Sequence, residues 1–121
     1  MEIQRIDFVA IPSRDAARSA VFYGDTLGLR RDEHRAGFEL WAAETCLNIW
    51  EPERFGDEFQ PQKTAHLAFQ VDDVEQARKD LEAKGVAFEG ETLDTGVCHM
   101  AFFEDPDGNA LMLHKRYAPY P

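Results

Sequence analysis

Two short stretches decide how this chain folds: Phe8–Asp15, reading FVAIPSRD, and His66–Asp73, reading HLAFQVDD. In each, apolar residues alternate with others, as in a strand with one face turned to a core, and each closes on an aspartate able to cap a helix. Helical patterns follow both. Ala16, Ala20, Tyr23 and Leu27 predict a helix from about Asp15 to Leu27, with Gly28 as its stop. Val74, Ala77 and Leu81 predict a second from about Val74 to Lys84, ended by Gly85, with Gln76 three places after Asp73 in a capping-box relation.

Working outward, each helix is followed by three strand-like stretches: Leu29–Asp32, Gly37–Ala42 and Cys46–Trp50, then Val86–Glu89, Val97–Glu104 and Ala110–Tyr117. Asp105-Pro106-Asp107-Gly108 has proline second and glycine fourth, as a type I turn prefers, so the last two strands form a hairpin. The closing strands also match, CLNIW at 46–50 against ALMLH at 110–114. The expected fold is therefore α+β: one domain over residues 1–121, built from two tandem βαβββ modules, about 3–51 and 64–117. The linker, about 52–63, contains Pro52 and Pro61.

The composition suits a soluble domain: of 121 residues 44% are hydrophobic and 30% charged, with no apolar run long enough to span a bilayer. The first six residues lack the apolar core of a secretion signal, so a cytoplasmic location is expected, with no membrane partner. A net charge of −10 argues against nucleic acid and is compatible with a cationic small ligand. Cys46 and Cys98 lack CxxC spacing and read as free thiols inside strands.

Alternation also assigns faces. Val9, Ile11, Leu47 and Ile49 in the first half, and Leu67, Phe69, Leu111 and Leu113 in the second, are the apolar members that belong under the helices. The opposite face then carries Phe8, Ala10, Asn48 and Trp50, and His66, Ala68, Met112 and His114. If the halves pair their sheets into a curved trough, these residues line it, with Met100 as a further candidate.

The paired βαβββ order, FYGDTLGL at 22–29 and FFEDPDGNALML at 102–113 resemble the vicinal oxygen chelate superfamily, which includes glyoxalase I, extradiol dioxygenases, and fosfomycin and bleomycin resistance proteins. The resemblance spans roughly Ile3 to Tyr117. It implies metal-ligand positions on the first and last strands of each half, which here fall on Phe8, Asn48, His66 and Met112. Phenylalanine has no lone pair, a thioether is too soft for Zn, Mg, Mn or Fe(II), and an amide is a weak donor, so the usual four-ligand site is not expected. The expectation is no cofactor; the alternative is an atypical divalent site on His66 with His114 or His99. His99 faces His114 in a simple register, whereas a bulge at Gly108 puts Met100 there instead.

The resulting reading is a metal-free pocket for a small, flat or conjugated organic ligand, contacted by Phe8, Asn48, Trp50, Met112 and Met100, as in the bleomycin-resistance relatives. Phe55 and Phe59 are candidates to cover its mouth. One alternative is a metal-independent enzyme in which His66, His114 or His99 moves a proton on a carbonyl-type substrate. Another is a metal-dependent lyase or dioxygenase with an atypical site. The resemblance further implies a homodimer.

Overall fold

The computed structural model describes residues 1–34 and 37–121. The chain divides into two units, 1–61 and 62–121, each a four-stranded mixed sheet with one α-helix.

In the first unit, β1 (Val9–Pro12) leads through Asp15 into α1 (Ala16–Val21), followed by β2 (Arg30–His34), β3 (Gly37–Ala42) and β4 (Thr45–Trp50). The sheet order is β1-β4-β3-β2, with β1 parallel to β4 and the other neighbours antiparallel. Parallel pairing of β1 with the last strand requires a crossover, which α1 supplies. The Asp15 side chain accepts from the Arg18 N–H, as an N-cap should. The expected helix to Leu27 is only partly α-helical: Phe22–Thr26 is a π-helical turn, with the Leu27 N–H donating to the Phe22 carbonyl at 3.0 Å. Tyr23 on that turn is fully buried, and Gly28 takes a left-handed φ of 79° after it.

The second unit repeats the plan. β5 (Leu67–Gln70), α2 (Val74–Ala83), β6 (Phe88–Asp94), β7 (Cys98–Glu104) and β8 (Ala110–Arg116) form a sheet of order β5-β8-β7-β6. Asp73 caps α2 by accepting from the Gln76 N–H at 3.1 Å. The Gln76 side chain does not close a capping box, because it donates instead to Asp80 one turn on. The strand after α2 is Phe88–Asp94, not Val86–Glu89: the Val86 N–H is spent on the Leu81 carbonyl at the helix end, and a register irregularity between Glu89 and Leu93 carries pairing past the expected end.

Each core lies between a helix and one face of its own sheet. Ile11, Leu40, Leu47 and Ile49 are buried in the first unit together with Ala16, Ala20 and Tyr23, and Leu111, Leu113, Ala101 and Phe103 in the second together with Val74 and Leu81. The expected apolar rows are therefore the more buried ones on every opening and closing strand, although Val9, Leu67 and Phe69 are only half-buried.

The segment expected as a plain linker has structure. Pro52–Phe55 forms a 3₁₀ turn ended by Gly56 at φ 81°, and Phe59 is buried under the Arg14 guanidinium rather than covering a mouth. Gln62 belongs to the second unit: its N–H donates to Asn109 Oδ1 and its side chain to the Ala110 carbonyl.

Candidate functional site

The first unit holds a groove of about 620 Å³, to which Ala16, Phe38 and Ile49 contribute beside residues of the non-core face. Phe8, Ala10, Asn48 and Trp50, the four residues that alternation places on that face, all line it. The register sets Ala10 beside Asn48, so β1 contributes a small residue to the lining and β4 both the amide and the indole. Among the described residues the Asn48 amide has no hydrogen-bond partner, which leaves a polar group available in an otherwise aromatic lining.

Three further lining residues, Glu51, Arg54 and Phe55, come from the end of β4 and the 3₁₀ turn. The Glu51 Oε2 accepts from the Ala16 N–H at 2.7 Å and its Oε1 from the Arg54 Nε, so β4 is tied to the start of α1. The Ser13 N–H donating to the Trp50 carbonyl at 2.9 Å makes the same connection one residue earlier. Those donors hold the Glu51 carboxyl below the usual carboxylate range, the Ala16 N–H contributing most and Arg54 next. Phe55 is exposed and tilted against Trp50, with ring centroids 6.0 Å apart. Alternation does not place Arg54 on this face. Its signal was there: a lone arginine three residues after Glu51, on a turn that Pro52 starts.

In the second unit the corresponding face carries Met112, His114, Phe102 and Met100. Phe102 pairs with Met112 and Met100 with His114, so the bulged register holds. Gly108, at φ 88°, is the extra residue. His99 therefore pairs with Lys115 on the other face, away from His114. There its Nε2 lies 3.3 Å from Asp94 Oδ2 and its ring 5.0 Å from that of Tyr117. Tyr117 also donates to Asp94 Oδ1 at 2.7 Å, and the N–H groups of Tyr117 and Ala118 both reach the Val97 carbonyl, so this cluster fastens the chain after β8. His66 precedes β5 and is exposed, with its ring edge-on to Phe102 at 5.3 Å. Since Gln70 pairs with His114, His66 and His114 stand four residues apart along an extended chain, roughly 13 Å.

The profile of the Glyoxalase/Bleomycin resistance protein/Dioxygenase superfamily matches residues 5–113. The chain belongs to this superfamily. It is 32% identical to YaeR of Escherichia coli K12 over 94% of this chain and 98% of that protein. It is 31% identical to YraH of Bacillus subtilis 168 over 84% and 90% of the two chains. Among solved structures it resembles TnmS3, an antibiotic-binding protein from Streptomyces sp. CB03234, with a TM-score of 0.76 and 25% identity over 96% of this chain and 98% of that one. The two-module α+β architecture is that of the superfamily.

The metal sites that this superfamily implies do not fit the donors present. In the first unit the two relevant positions offer an aromatic ring and one neutral amide; in the second, one imidazole and one thioether. The atypical site fares no better. Its two same-face histidines are too far apart to share an ion, and His99 lies on the other face. Among the described residues, no three His, Cys, Asp or Glu side chains gather where an ion could bind.

Proposed function

We propose that this protein binds a small organic molecule with a flat aromatic or conjugated portion, and that the groove of the first unit is where it binds, with no metal in the contact. The observation that carries this reading is the lining itself: Phe8, Trp50 and Phe55 with the Asn48 amide, which has no hydrogen-bond partner among the described residues. A volume of about 620 Å³ falls within the range of drug-sized ligand sites. Aromatic walls supply stacking and apolar burial, and a single amide that both donates and accepts fixes orientation. An antibiotic-binding relative at 25% identity is in keeping with it. A homodimer in the cytoplasm belongs to the same reading.

The test is a thermal-shift screen against aromatic natural products, followed by titration of the hits. Ligands that raise the melting temperature should lose at least tenfold in affinity in Trp50→Ala, since stacking on an indole contributes about 1 kcal/mol beyond burial and burial adds more. Hits whose affinity is the same in Trp50→Ala would place the site elsewhere.

A further inference from the structure

The charge of that ligand can be read from one end of the same groove. Glu51 and Arg54 are its charged lining residues, and they are not equivalent. Glu51 is largely buried, with its side chain 17% exposed, and both of its oxygens are engaged, one by the Ala16 N–H and one by the Arg54 Nε. It has the geometry of a strut. Arg54 is 77% exposed and spends only Nε on that strut; among the described residues its Nη1 and Nη2 have no partner. A guanidinium held by one edge presents the rest of a rigid donor fork, which matches two oxygens of a planar anion. Phe55 follows Arg54 on the same turn, and its ring lies tilted against Trp50 at 6.0 Å and 46°. At that spacing a ring cannot slide between them, so they form one continuous wall beside the free fork.

We propose, resting on the groove reading above, that the ligand is a flat aromatic or conjugated molecule bearing a planar anionic group, a carboxylate or an enolate, received by the Arg54 Nη1 and Nη2 while the ring lies on Trp50 and Phe55. The net charge of −10 does not oppose this. Distant charges are screened within about 8 Å at physiological salt, whereas a contact ion pair survives it. The cationic ligand suggested by overall charge is thus replaced by an anionic one on local grounds.

Three probes of one shape test the assignment: 2-naphthoate, 2-naphthamide and 2-naphthylmethylammonium, titrated by calorimetry in about 0.15 M salt. Naphthoate should bind roughly tenfold more tightly than the amide, and the ammonium most weakly, as a charge-assisted bidentate contact requires. Arg54→Gln should erase the advantage of naphthoate over the amide, and Arg54→Lys should restore part of it. The double variant Glu51→Gln/Arg54→Gln, which removes both charges, should also lack the preference, so that an exposed Glu51 is not what repels the anion. Equal binding of the three probes, or a naphthoate preference intact in Arg54→Gln, overturns the anionic assignment; if Trp50→Ala then still weakens every probe, the groove reading stands. Binding of none of the three overturns both. Arg54 is exposed and its loss removes one ion pair, so its variants should fold with only a small drop in melting temperature, which a thermal scan checks.

Discussion

Replacing Asn109 with alanine should cost the protein about 3 kcal/mol of folding stability. Asn109 is 1% exposed in the turn between β7 and β8. Its Nδ2 donates to Asp105 Oδ2 at 2.8 Å, and its Oδ1 accepts from the Gln62 N–H at 2.9 Å. The first loss removes a hydrogen bond to a buried carboxylate, worth about 1.5–3 kcal/mol. The second leaves a backbone N–H without its partner, for about 1 kcal/mol more because Gln62 is half-buried and water can reach it. Backbone donors at Asn109 and Asp107 still reach Asp105 Oδ1, and the Gly108 N–H still reaches the Asp105 carbonyl, so the turn should persist and only its anchorage weaken. Urea unfolding followed by circular dichroism measures the change, with a melting temperature lower by roughly 10 °C and an unaltered denaturant slope. A loss under about 1 kcal/mol would refute the claim that this side chain joins Gln62 to the hairpin.

Ala43 sits at φ 52° in the two-residue connection between β3 and β4, so Ala43→Gly should stabilise the protein by about 0.5–1 kcal/mol in the same assay. Glu51 is held below the usual carboxylate range, so its contribution is present at neutral pH and is lost as pH falls through its lowered folded-state value. Glu51→Gln should therefore be less stable by about 1 kcal/mol at pH 7, with the gap from wild type closing as pH falls below the usual carboxylate range. The Cys46 thiol is pushed up to about 11, first by burial and then by the Glu39 carboxylate to which it donates at 3.5 Å. In a Cys98→Ser background a disulfide reagent at pH 8 should label Cys46 at least about a hundredfold more slowly than free cysteine, with full reactivity in denaturant.

Much of the fold was legible because both modules bury one face of a sheet, which writes period-two alternation into VAI, CLNI, LAF and ALML. What was hard to read shares one cause: local pattern with no contrast. β6 reads FEGETLD and is mostly exposed, so nothing marks its limits. In β7 the rows Met100/Phe102 and Ala101/Phe103 are both apolar, so sequence alone left two registers open. Burial distinguishes them, since Ala101 and Phe103 are at most 1% exposed. At the candidate site, Phe8, Asn48 and Trp50 could be placed by alternation alone. Arg54 could not, because its position depends on a 3₁₀ turn and a carboxylate three residues back.

The extra residue at Gly108 gives this family member a lever on chemistry that point substitution lacks. Deleting one residue from a hairpin loop exchanges the two faces of the strand before it, so β7 would offer His99 where it now offers Met100, opposite His114. A thioether beside an imidazole would become a pair of imidazoles in a single step. The same event would drive Phe103 out of the core, and with it the packing on Phe88 at 5.0 Å. Loop length and core composition are thus locked together: neither can drift alone, and a lineage that gained a histidine pair here would have to rebuild the row beneath it.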